Sequence, residues 1–160
     1  MTDISLESVT GKLNRVGYEA FIQALRQAKT AGNRHVELAH WLAHILPREQ
    51  SDLTLTIDHF KLDRGKLAGD VMQAIEALRK RETEMPSVSN TIVDLLDRGW
   101  HYATLFFGET QIRTGHVLVA ALKSLDLRRA LASVSQEFAK INVDTLAAEH
   151  RTLWAGSAEE

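Results

Sequence analysis

The sequence predicts an all-α fold made of a four-helix unit used twice, and three observations carry that prediction. A stretch of the chain recurs 76 positions later: Val36, His40, Leu42 and Leu46 fall on Ile112, His116, Leu118 and Leu122. Apolar residues recur three and four apart almost throughout, the spacing of one face of a helix, and strand-like alternation is hard to find. Only 2 prolines occur among the 160 residues, so little interrupts a helical pattern. Internal duplication settles the architecture before any local reading, because a unit that cannot close its own core has to bury it against its copy. The expected molecule is a pseudo-two-fold domain of about eight short helices with an extra N-terminal helix.

The elements follow in order. Ile4–Val9 is expected as a short first helix before Gly11. A long helix from about Leu13 to Ala31 carries Tyr18, Phe21, Ile22 and Leu25 on one side, and Gly32 ends it because glycine adopts the left-handed conformation without steric cost. The helix Leu38–Leu46 stops at Pro47. Asp52 is expected to cap a helix through Phe60, and Asp63 one with Leu67, Val71, Ile75 and Leu78 inward. Arg81–Ser87, with its charges and Pro86, reads as the connection between copies. Ser89 or Asn90 caps the second long helix, which bears Ile92, Leu95, Leu96, Gly99, Ala103 and Phe106 and ends at Gly108. At the same 76-residue offset Val16, Ala20 and Ala24 meet Ile92, Leu96 and Trp100. Thr114 caps the repeated stretch, Asp126 a helix with Leu127, Leu131, Val134 and Phe138, and Asn142 the last. Residues 1–154 form the domain, with repeats at about 13–80 and 89–154, and Ala155–Glu160 reads as the start of a solvated linker.

Composition narrows the function classes. There are no cysteines, which removes disulfides, thiolate metal sites and cysteine nucleophiles and suits a reducing, cytoplasmic setting. A formal net charge of −2, with no long basic run, gives no phosphate-tracking surface for nucleic acid. No apolar run approaches the ~20 residues of a membrane span. Arg64-Gly65-Lys66-Leu67 lacks the Ser/Thr and the earlier glycine of a phosphate loop, and no Gly-x-Ser-x-Gly elbow occurs. No cofactor is expected here. Glu37, His40 and His44 share a helix face at a spacing found in di-iron bundles, but the second copy has Arg113 and Ala120 at two of those positions. Recurrence of His40 and His116 instead suits a helix-start imidazole hydrogen-bonded to backbone. What remains is apolar: Leu6, Val9 and Leu13 before the first long helix, Val88 and Ile92 at the start of its copy. Pseudo-symmetry places both helix starts near the internal two-fold, where these residues line an open groove for an amphipathic helix or else lid the core.

Val9-Thr10-Gly11-Lys12-Leu13-Asn14 and Thr114-Gly115-His116-Val117-Leu118-Val119-Ala120-Ala121-Leu122 resemble the motifs of the Clp N-terminal (Clp repeat) domain that precedes the ATPase modules of Clp/Hsp100 AAA+ unfoldases. Val36–Leu42 with Trp41, Asp97-Arg98-Gly99-Trp100, Leu105–Glu109 and Gln136–Lys140 are similar to the ClpV branch, which serves type VI secretion. The resemblance implies a substrate-recognition domain, not an enzyme, that captures the N-terminal helix of the large contracted-sheath subunit (VipB/TssC) in a hydrophobic groove so that the sheath can be recycled. The implied groove residues are Ile4, Leu6, Val9, Leu13, Val88 and Ile92, with Glu109 at the rim. ATP and Mg would belong to AAA+ modules elsewhere in a hexameric parent, the isolated domain being a monomer. The alternative is a general substrate or adaptor docking domain of the ClpA, ClpB or ClpC kind.

Overall fold

The computed structural model describes residues 6–78, 80 and 85–160, Leu6 as backbone only. Its helices are α1 (Leu6–Thr10), α2 (Arg15–Ala31), α3 (Leu38–Ile45), α4 (Asp52–His59), α5 (Arg64–Glu76), α6 (Asn90–His101), α7 (Thr114–Leu122), α8 (Leu125–Val134) and α9 (Val143–Leu153). A π-helical segment, Tyr102–Phe106, continues α6, and a 3-10 turn, Gln136–Lys140, follows α8. The helices α2 to α5 and α6 to α9 are the two copies, and one hydrophobic core runs through both, including Phe21, Trp41 and Leu42 from the first and Leu96, Leu118 and Trp154 from the second.

Two short parallel strands, β1 (His35–Val36) and β2 (Ser87–Val88), were not foreseen from periodicity, because two residues are too few to show it. They join the copies reciprocally. Val36 pairs with Val88, and Leu13 pairs with Ile112 in an isolated parallel bridge. Ser89 N–H donates to the Val36 carbonyl at 3.0 Å, and Asn14 N–H donates to the Ile112 carbonyl at 2.9 Å. Asn14 and Ser89 are also the N-caps of α2 and α6, accepting from Gly17 N–H at 3.0 Å and Ile92 N–H at 3.3 Å. Each long helix therefore starts where the chain is hooked onto the other copy.

That arrangement corrects the register read from the sequence. The starts of α2 and α6 are 75 positions apart, while Gly32 and Gly108, both left-handed at φ 71° and 66°, are 76 apart. The π segment holds the extra residue. Phe107 N–H donates to the Tyr102 carbonyl five positions back, at 2.8 Å. Asn33 N–H reaches the Ala28 carbonyl, whereas Glu109 N–H reaches that of Ala103, one residue further along the sequence. A π turn accommodates one more residue than an α turn without leaving the helix. Along α2 and α6 the matching pairs are consequently Gly17/Ile92, Ala20/Leu95, Phe21/Leu96, Ala24/Gly99 and Ala28/Ala103, every member buried. Volume is traded between copies: the first sets Gly17 and Trp41 where the second sets Ile92 and Val117. The Trp41 indole N–H donates to the Gly17 carbonyl at 3.1 Å. Leu105, within the π segment, is 85% exposed.

Other expectations shift for polar reasons. Asp63, Ser89 and Asn142 cap their helices as expected. Ser51 rather than Asp52 caps α4, Arg113 rather than Thr114 precedes α7, and α8 starts after Ser124 rather than at Asp126. Phe138 lies in the 3-10 turn, beyond the end of α8. Asp52 has a buried task instead. Its fully buried carboxylate receives the Arg113 guanidinium side-on, Nε at 2.8 Å and Nη2 at 2.7 Å. The same guanidinium lies 5.5 Å from the Trp154 ring centre. Gly115 leaves room for that ring, since a Cβ there would stand 2.3 Å from it, and the Trp154 indole donates to Thr56 Oγ1 at 2.8 Å.

The last six residues are not a solvated strand. Ala158 N–H donates to the Gln50 carbonyl at 2.7 Å, and Ser157 and Glu159 are buried. The Glu159 carboxylate accepts from Asp52 N–H and Thr114 N–H, each at 2.7 Å, from Asn14 Nδ2 at 2.9 Å and from the Thr114 hydroxyl. The backbone donors belong to the first residues of α4 and α7, where unpaired N–H groups favour an anion. Burial and the nearby Asp52 push the Glu159 carboxyl above its ordinary range, and the bonds from Thr114 and Asn14 pull it back. These contacts join residues between 45 and 145 positions apart, so no local pattern announces them.

Glu159→Ala should cost at least ~2 kcal/mol of unfolding free energy, and Asp52→Ala ~3–5 kcal/mol by stranding the Arg113 charge. Urea unfolding measures both, and an unchanged midpoint in either would show that the contact is idle. Deleting Leu105 should let the π segment relax to α-helix and cost less than ~2 kcal/mol, whereas deleting buried Ala103 should be far more damaging. Equal losses from the two deletions would refute the assignment of the extra residue.

Candidate peptide-binding site

Helix α1 is positioned by a tight turn. Gly11 N–H donates to the Glu7 carbonyl at 3.0 Å, Lys12 N–H to Val9 at 3.0 Å and Leu13 N–H to Thr10 at 3.1 Å. The turn lays α1 against α6 and delivers Leu13 to its bridge with Ile112. Glu7 and Ser8 face solvent, Val9 faces inward. Beside this junction the Lys12 ammonium sits 5.1 Å from the ring centre of half-buried Trp100, and Tyr18 on the first turn of α2 is 45% exposed.

Of the residues expected in a groove, Val9, Leu13 and Ile92 are each only 4% exposed. Leu13 and Ile92 line the same internal space, together with Phe21, Trp41, Leu95 and Leu96. That space is about 10 Å³, at the lower limit for one water molecule, so it holds no ligand side chain as it stands. Val88 is half-buried at the edge of the strand pair. Ile4 and the Leu6 side chain lie outside the described residues. The structure thus gathers Val9, Leu13 and Ile92 near the two helix starts, as pseudo-symmetry required, but buried in the core rather than facing solvent.

Glu109 is occupied. Its Oε2 lies 3.1 Å from His116 Nε2 and its Oε1 3.8 Å from Arg113, with the side chain 41% exposed. Its counterpart in the first copy is Asn33, whose Oδ1 lies 3.0 Å from His40 Nε2. In both copies the histidine Nδ1 accepts the N–H of the residue before the helix, Glu37 at 2.9 Å and Arg113 at 3.1 Å. Nδ1 is therefore the unprotonated nitrogen, and Nε2–H donates to Asn33 or Glu109. The 76-residue offset that aligns the histidines also aligns Asn33 with Glu109, a signal that the sequence offered. His44 Nε2 lies 2.9 Å from Gln27 Oε1, so the face with Glu37, His40 and His44 is organised by hydrogen bonds to amides and backbone. Among the described residues no three His, Asp or Glu side chains gather as a metal site, and no helix is long and apolar enough to cross a membrane.

Comparison with known proteins places this geometry. No protein-family model matches the chain. The AAA+ ATPase ClpV1 of Pseudomonas aeruginosa is 38% identical over 146 residues, 91% of this chain and 16% of its own length. A solved structure from work on the coevolution of the ATPase ClpV with the TssB–TssC sheath is 36% identical, superposes with a TM-score of 0.96, and is matched over 99% of its length by 100% of this chain. The chain belongs to the ClpV N-terminal domain family. A complex of a ClpV N-domain with a VipB peptide is 26% identical with a TM-score of 0.85, covering 100% of this chain and 99% of that one. Chaperone protein ClpB of Yersinia enterocolitica is 31% identical over 98% of this chain and 18% of its own length. The chain thus spans less than a fifth of either full-length relative. The expected all-α Clp repeat fold, with its extra N-terminal helix, is the fold observed.

The buried imidazoles give a pH prediction. Burial, first of all, lowers both His40 and His116 to about 4, with the His44 charge adding to it at His40. A histidine depressed in the folded state stabilises fully above its unfolded value near 6.5, and that stability drains away as pH falls from there toward 4, by up to ~3 kcal/mol for each. In a ring-carbon NMR titration, two of the 7 imidazoles should stay neutral below pH 5. Titration of His40 or His116 near 6.5 would contradict the hydrogen-bond assignment.

Proposed function

We propose that this chain is the recognition domain of a type VI secretion unfoldase and receives a helix of the large sheath subunit, VipB/TssC, at the junction of α1 and α6. The observation that carries the reading is the ClpV N-domain solved with a VipB peptide, which this chain matches over its whole length. On this reading Ile4 and Leu6 of the N-terminal segment, with Val88, meet the helix directly. Val9, on the inner face of α1, forms the buried floor with Leu13 and Ile92, and the exposed edge of Glu109 forms the rim. A short amphipathic helix gains mainly from apolar burial, ~25 cal/mol per Å², and loses conformational entropy as it orders. Modest affinity per site suffices where a hexameric parent presents several copies to a repeating polymer. The domain acts by binding, in the cytoplasm, and ATP hydrolysis with its Mg belongs to the AAA+ modules of the parent.

The ClpB relative supports a second reading, docking of varied substrates or adaptors. Binding unfolded model proteins as tightly as the sheath peptide would favour it.

Ile92 is too deeply buried for a charge to report on binding rather than folding, so the test uses α1 and the strand edge. Leu6→Asp and Val88→Asp should each weaken a VipB/TssC N-terminal peptide at least tenfold, about 1.4 kcal/mol, with helicity and melting temperature retained. Isothermal titration measures it, and full affinity in both well-folded variants would dismiss this site.

A further inference from the structure

A second surface, on the far part of the second copy, has the make-up of a docking site independent of the one above. The end of α7, the outer side of α8, the 3-10 turn and the start of α9 enclose an open groove of about 520 Å³, within the range of ligand-sized sites. Its floor is buried Leu122, Phe138 and Ile141, and its lip is Leu125, 52% exposed. The charged residues of its lining are Arg128 and Arg129, both exposed. Nearby ionic groups are already matched: Lys123 with Asp144 at 3.1 Å, Lys140 with Glu137 at 2.7 Å. No described carboxylate forms an ion pair with Arg128 or Arg129.

The first copy supplies an internal control. A groove of about 350 Å³ between the end of α3, α4 and α5 is lined by Leu46, Ile57, Leu67 and Met72, and its charged lining residue is Arg64. There the guanidinium is held side-on by Asp58, at 2.8 and 2.7 Å. One copy thus neutralises its groove and the other leaves two guanidinium groups over an apolar floor. Such a floor with a cationic lip suits apolar side chains on one face of a ligand and carboxylates on the other, because guanidinium pairs carboxylate side-on. Nucleic acid would use the two charges but gain little from Leu122, Phe138 and Ile141.

We propose that this groove docks an acidic amphipathic helix of a partner protein. The probe is a labelled synthetic helix of about five turns with leucine on one face and glutamate on the other, alongside the same helix with lysine for glutamate. With the 160-residue chain, the glutamate peptide should shift the amides of Leu122, Leu125, Ala132 and Ile141 in NMR spectra, and the lysine peptide should not. Arg128→Glu combined with Arg129→Glu, both on the surface, should weaken binding at least tenfold with an unchanged melting curve. Raising salt from about 50 to about 500 mM should weaken it too. The proposal is overturned by no binding at millimolar peptide, equal binding of the lysine peptide, indifference to the double reversal, or shifts confined to α1 and α6. Tighter binding of a single-stranded oligonucleotide at the same amides would also overturn it, assigning the groove to nucleic acid.

Discussion

The reciprocal backbone pairing of the two copies is the constraint on which the rest of the molecule depends. Val36 accepts from Ser89, and Ile112 accepts from Asn14, so the residue that caps each long helix is held by the opposite copy. Neither helix can start correctly without the other half in place. The same hooks bring α1, the start of α2 and the start of α6 to one junction, which is where the functional reading falls.

Polar groups buried around that junction turn a packed interface into a specified one. Asp52, Arg113 and Glu159 tie α4, α7 and the C-terminal segment together, and Asn14 joins them to α2. Buried charges cost free energy unless every partner is present, so this cluster punishes any sliding of one copy past the other. The histidines act locally in a similar way. Each closes the first turn of its helix from inside the core and is neutral because it is buried there.

The copies have then diverged where divergence is cheap. Trp41 over Gly17 in one copy answers Val117 and Ile92 in the other, keeping the volume of the core while changing its parts. One added residue is absorbed by a π turn rather than a broken helix. The outer grooves differ in charge, neutral in the first copy and cationic in the second. Duplication gave the protein two equivalent surfaces, and the observed differences make them unlike.

Sequence alone determined the helical class, the duplication, the stops at Gly32, Pro47 and Gly108, and the paired histidines, because period, turn chemistry and repetition are local properties. It also brought Val9, Leu13 and Ile92 to one place through the symmetry of the repeat. Only the tertiary structure decided that these three are buried in the core, that the long helices are related by 75 residues at one end and 76 at the other, and that the apparent linker folds back. The reason is physical. Which face of a short helix is covered, and which distant donors receive a buried carboxylate such as Glu159, depend on what packs against it, and nothing within a few residues of Glu159 records that Asn14, Asp52 and Thr114 will be there.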